Sequence, residues 1–102
     1  MIRVELVGQQ SVRCNPNKTT LMVGEILRFE APRPTLTLEV TIRGEAKFTL
    51  VQSGPGFQEF RADTKGKFTF GGDLTLDDGS GKRVGWSPTN DAGAGGAGEV
   101  TG

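Results

Sequence analysis

The sequence has no histidine and no tyrosine, a single cysteine (Cys14), a single tryptophan (Trp86), and no surplus of either charge. Each absence removes a class of chemistry. Without histidine, the usual Ser-His-acid and Cys-His nucleophile pairs cannot be assembled. Zinc, copper and haem centres of the usual kinds lose their commonest ligand. One cysteine cannot form an intrachain disulfide, whereas a small secreted domain often depends on paired ones. Cys14 therefore reads as a small, partly buried filler. Twelve basic side chains balance twelve acidic ones over 102 residues, which argues against a strong sequence-independent hold on nucleic acid or an anionic membrane.

Long apolar runs are also missing. No stretch approaches the ~20 residues of a membrane-spanning helix, and no membrane partner is expected. The opening residues MIRVELVGQQ lack the basic start, continuous apolar run and small-residue cleavage site of a signal peptide. The expected location is the cytoplasm, or a virion or other particle into which the chain is incorporated.

What the sequence does contain is alternation. In TLTLEVTIR, residues 35–43, Leu36, Leu38, Val40 and Ile42 share one parity, and Thr35, Thr37, Glu39, Thr41 and Arg43 the other. A period of two places an apolar face and a polar face on opposite sides of a β-strand. The same pattern recurs over Ile2–Val7, Thr19–Val23, Leu27–Glu30, Ala46–Leu50, Phe68–Phe70, Leu74–Leu76 and Lys82–Trp86, with a weaker candidate at 57–62. Residues 46–50 read as the hairpin partner of 35–43. Turn chemistry separates the candidates: Cys14 to Lys18, the Pro32 and Pro34 pair, Ser53–Gly56, Asp63–Gly66, Gly71–Asp73 and Asp77–Gly81. No window carries the i, i+3, i+4, i+7 pattern of a helix. Seven or eight short strands at this spacing predict an all-β fold, an antiparallel β-sandwich or a partly open barrel, over residues 1–86.

From Ser87 onward the composition changes. Residues 92–98 read AGAGGAG, and no bulky apolar residue follows until Val100. Such a segment has little to set against a backbone ordering cost of roughly 1–2 kcal/mol per residue. Residues 87–102 are thus expected to form a flexible Gly/Ala-rich C-terminal arm. An arm of this kind can pack on a neighbour's backbone or add a strand to its edge. The expected partner-binding residues are Asp91, Ala92, Gly93, Ala94, Gly95, Gly96, Ala97, Gly98, Glu99 and Val100.

Candidate reactive groups are few. Asp77 and Asp78 are adjacent, so their side chains diverge and do not make an acid–base pair of the kind that cleaves glycosides. Gly81-Lys82 lacks the preceding glycine, the following Ser or Thr and the helix of a phosphate-binding loop. Asp73, Asp77 and Asp78 lie close together in glycine-rich turns but fail the EF-hand spacing. Residues 23–32, VGEILRFEAP, resemble a cupredoxin strand, and without histidine that resemblance carries no copper site. Residues 65–71, KGKFTFG, resemble the aromatic strand of cold-shock domains. That resemblance implies base stacking on Phe68 and Phe70, but an inserted lysine offsets the match, and both side chains read first as core residues.

The expectation is therefore a chain with no catalytic residue, no cofactor and no metal. Its predicted role is that of a non-enzymatic structural or interaction subunit of a larger assembly, of the virion decoration, capsid-stapling or tail-component type. It would touch protein partners, a second copy of itself among them, through its loops and arm. Two alternatives stay open. One is an Ig-like module for a glycan or peptide, with Trp86 as the ligand platform. The other, disfavoured by charge, is an OB-type binder of single-stranded nucleic acid.

Overall fold

The computed structural model describes residues 1–8, 11–86 and 96–102. Ten strands make up the described chain: β1 Ile2–Val7, β2 Ser11–Asn15, β3 Lys18–Met22, β4 Ile26–Glu30, β5 Thr37–Gly44, β6 Phe48–Gly54, β7 Phe57–Ala62, β8 Gly66–Thr75, β9 Arg83–Trp86 and β10 Gly96–Thr101. One sheet (sheet A) has the order β2-β1-β4-β7-β6. The other (sheet B) has the order β3-β10-β8-β5, with β9 also paired to β8. Both are mixed, because β1 runs parallel to β4 and β10 parallel to β3. The predicted all-β fold is observed, as a sandwich, but the described residues form ten strands rather than seven or eight, and two parallel pairs stand where purely antiparallel sheets were expected.

Parity builds the core. Ile2 and Val4, Val12 and Cys14, Leu27 and Phe29, Leu36 and Leu38, Phe68 and Phe70, and Val84 and Trp86 are buried between the two sheets. Phe29 sits at its centre, edge-on to Phe60 at 5.9 Å and to Phe70 at 5.2 Å between ring centroids. Such edge-to-face pairs add ≈ 0.5–1.5 kcal/mol beyond the area they bury.

Several expectations give way to the observed topology. Residues 35–43 and 46–50 do not form a hairpin. Strand β5 pairs with β8 and β6 pairs with β7, so the chain crosses from one sheet to the other at Gly44–Lys47. That crossing is held by the Lys67 carbonyl, which accepts from the amides of Glu45 and Ala46. Gly71–Asp73 is not a turn but the middle of β8. Gly72 there has φ +152° and lies so close to the Glu39 carbonyl and the Trp86 indole that a Cβ would overlap the carbonyl oxygen.

The largest difference is at the C-terminus. The expected boundary at 86/87 does not hold for residues 96–101, which form an interior strand of sheet B. Strand β10 pairs through five residues with β3 and through five with β8, and Val100 is buried in the core. Strands β9 and β10 lie on the same side of β8 and run the same way, Trp86 opposite Gly72 and Gly96 opposite Phe70. They are two halves of one neighbour to β8.

Candidate interaction surfaces

The two outer faces of the sandwich differ in how their charges are used. On sheet A most of the charges are paired, Arg3 of β1 excepted among the described residues. Arg28 donates to Glu30 at 2.7 Å and to Glu59 at 2.9 Å, and its guanidinium lies 4.0 Å from the centre of the Phe57 ring. Arg13 meets Glu5 and Arg61 meets Asp63. The register explains the network, because Arg28 stands opposite Glu59, Glu30 opposite Phe57, and Glu5 opposite Arg13. Cross-strand neighbours of opposite charge support a sheet by a fraction of a kcal/mol each.

On sheet B the outer face carries the polar parity of the opening motif, Thr37, Glu39, Thr41 and Arg43, against Thr75, Asp73, Gly71 and Thr69 of β8. Lys67 and Glu99 stand opposite each other further along. Among the described residues, none of these charged side chains forms an ion pair. This face is rich in threonine. An open hollow of about 550 Å³ runs over Ala97 and Gly98, between Lys18 and Thr20 on one side and Lys67 on the other.

One end of the sandwich is closed by the loop between β4 and β5 and the loop between β8 and β9. Arg33 donates two hydrogen bonds to the Asp77 carboxylate, each 2.8 Å long, and the Thr35 hydroxyl donates a third. The guanidinium beside Asp77 holds its carboxyl well below the usual carboxylate range, and Thr35 adds to the effect. Asp78 accepts from the Ser80 amide and hydroxyl, which also lowers its pKa. These two carboxylates thus brace their loops. Among the described residues, no three His, Cys, Asp or Glu side chains gather where they could hold a metal ion.

Trp86 is not a platform. It is 6 % exposed, faces the core opposite Gly72, and its indole Nε1–H has no hydrogen-bond partner among the described residues. Phe68 and Phe70 are buried too, at 2 % and 0 % exposed, so neither ring presents a face to a base. Of the expected partner-binding segment, Asp91, Ala92, Gly93, Ala94 and Gly95 lie outside the described residues. Gly96, Ala97, Gly98, Glu99 and Val100 form β10, where their backbones pair within the chain's own sheet. Cys14 is buried, and burial, with help from Glu5, pushes its thiol up to about 12.

Sequence reasoning missed the exposed apolar side chains. Met22, Val23 and Ile26 are 59 %, 46 % and 47 % exposed around the β3–β4 turn. Leu50 and Val51 on β6 are 49 % and 44 % exposed. A signal for both groups is present in the sequence. Leu21-Met22, Ile26-Leu27 and Leu50-Val51 are adjacent apolar residues in strands, and neighbours in a strand cannot share one face.

The β6 group has a further cause. The register slips between Leu50 and Gln52, leaving Val51 as the extra residue of a bulge. Leu50 stands opposite Phe60 on the inner face, yet it is half exposed because β6 is the edge of its sheet. Its inner-face neighbours Val40, Ile42 and Phe48 are likewise only partly covered. Together they mark an apolar seam between β5 and β6. A cleft of about 350 Å³ opens there against Ile42, Ala46, Phe48 and Phe60. No protein-family model matches the chain, and no curated protein matches it.

Proposed function

We propose that the chain is a non-enzymatic structural or interaction subunit of a larger assembly, of the kind that decorates, staples or extends a particle. The observation that carries this reading is the grouping of exposed apolar side chains on a braced, charge-balanced sandwich. Single exposed apolar residues are ordinary on protein surfaces, whereas grouped ones mark contact sites. Met22, Val23 and Ile26 flank the β3–β4 turn, at the corner where the chain passes from one sheet to the other, Met22 on the outward parity of sheet B and Ile26 on that of sheet A. The tip is anchored to its surroundings: the Gly24 amide donates to Ala62, the Val23 amide to Thr101, and the Met22 amide to the Glu25 carboxylate. An apolar tip held by backbone bonds can dock with little backbone ordering cost at the moment of binding. This reading takes the β3–β4 tip as the first contact, with the loops at the opposite end as secondary contacts.

The test is fractionation by size of a native extract from cells or particles carrying the full chain. The chain is expected to travel with a complex much larger than its monomer. A Met22→Lys, Ile26→Lys double variant is expected to run as free protein with an unchanged circular-dichroism spectrum. Free migration of the natural chain overturns the reading.

A further inference from the structure

We infer that the β6 edge is a self-association site, at which a second copy of this chain adds its own β6 antiparallel to the first about a two-fold axis. The inference rests on the interaction-subunit reading above and names one of its partners. Five strands have a neighbour on one side only among the described residues: β2, β3, β5, β6 and β9. Four of them carry charge, Arg13 on β2, Lys18 on β3, Glu39 and Arg43 on β5, and Arg83 on β9. Charged edge side chains are a standard defence against strand-to-strand association. Strand β6, with the sequence FTLVQSG, carries none.

Strand β5 has a second safeguard that β6 lacks. Its Val40 amide donates to the Gln58 side chain at 2.8 Å, which occupies one edge donor. On β6 the exposed edge is joined by two large apolar side chains, Leu50 and Val51.

The same chemistry selects the occupant. Across a two-fold interface each residue meets a symmetry mate, so like charges near the axis would face each other. Pairing two copies of β2 about its middle would bring Arg13 against Arg13, whereas β6 presents no charge to oppose its mate. Antiparallel pairing of an uncharged strand with itself satisfies the edge donors and acceptors on both copies at once. It also places a second Leu50 beside the first, over the seam bounded by Val40, Ile42 and Phe48. The bulge at Val51 twists the edge and limits the run of paired residues. A closed dimer follows rather than an open fibre, since each copy uses its β6 edge once.

Sedimentation equilibrium of the purified full chain tests this directly. The natural chain is expected to be dimeric at micromolar concentration, and Leu50→Lys and Val51→Lys are each expected to weaken the dimer by at least about tenfold. Val7→Lys, at an equally exposed apolar residue outside β6, is expected to leave the dimer intact. A chain that stays monomeric up to ~100 µM, or a dimer indifferent to both β6 lysines, overturns the inference. Hydrogen exchange of the natural chain gives a second readout that needs no variant. The β6 amides should exchange more slowly as concentration rises, and concentration-independent exchange there counts against the proposal. A monomer in isolation that still joins a large complex in extract defeats this inference alone. A dimer in isolation that joins no complex defeats the broader reading alone.

Discussion

The ring of Phe68 lies across the backbone of Gly98, its cross-strand partner, so closely that a Cβ at 98 would stand 2.6 Å from Cζ of the ring. Phe70 and Gly96 repeat the arrangement two pairs further along β8, beyond Thr69 and Ala97. Aromatic rings covering glycines on the facing strand give an edge-to-core contact that the glycine itself cannot make. The glycines of β10 are therefore matched to two core phenylalanines rather than to a linker's need for freedom.

Gly98→Ala tests that match. The added methyl meets the Thr19 carbonyl at 2.3 Å as well as the Phe68 ring, so backbone or ring must move. Overpacking of this sort costs typically 1–3 kcal/mol. Urea denaturation is expected to show a lower midpoint with an unchanged slope. Ala97→Ser, one residue away on the outward parity, is expected to leave the midpoint within about 0.5 kcal/mol of the natural chain. Equal effects from the two substitutions would contradict the pairing.

Core packing supplies the second prediction. Phe29 is fully buried between Phe60 and Phe70, and Phe→Ala at such a site costs roughly 3–5 kcal/mol. A domain of this length has a total stability of about 5–15 kcal/mol. Phe29→Ala is thus expected to leave a marginal protein, with a thermal midpoint far below that of Phe29→Leu. Calorimetry of both variants measures the difference.

How much of this was legible in the sequence depends on whether the cause was local. Strand β5 was readable because alternation over 35–43 is a property of the strand itself. Strand β10 was not, because the fitness of Gly96 and Gly98 is set by two rings about thirty residues earlier. Strand β2 was hidden by the turn chemistry of Asn15-Pro16, which marks only its end. Gly71-Gly72 resembled a turn, yet the close approach of the Glu39 carbonyl and Trp86 is what requires glycine at 72. The crossing at Gly44–Lys47 resembled a hairpin because its length suits one, and only the pairing of β5 with β8 shows otherwise. The candidate surfaces were written in the sequence as breaks in parity, at Met22, Ile26 and Leu50-Val51.

Acid stability follows from the carboxylates. Asp77, bound by Arg33 and Thr35, has its pKa lowered in the fold, as have Asp63, bound by Thr49 and Arg61, and Asp78, bound by Ser80. A depressed folded pKa stabilises the fold above the unfolded value of 3.8. That stabilisation is lost as pH falls below it, because the unfolded chain then binds protons more readily. Denaturation midpoints are expected to fall steadily below about pH 4. Asp77→Asn should be less stable near neutral pH and show a shallower fall on the acid side. A parallel pH profile for the two proteins would remove Asp77 from the account.

Cys14 makes the opposite prediction at the alkaline end. Cys14 is 3 % exposed, and its thiol is pushed up to about 12 from an ordinary 9.0, chiefly by burial. The thiolate is the reactive form, so a chromogenic disulfide reagent at pH 8 is expected to leave the folded protein untouched and to label one thiol per chain in denaturant. The linkage has a definite sign. A thiol whose folded pKa is raised stabilises the fold fully below the unfolded pKa, and that contribution is lost as pH climbs through 9 toward the folded value. Cys14→Ala removes this alkaline loss while introducing a small cavity penalty at every pH. The two unfolding curves should therefore converge as pH rises from 8 to about 11. Rapid labelling of the folded protein, or curves that stay parallel through that window, would show that the thiol is not enclosed between β1 and β2 and the core in the way the fold requires.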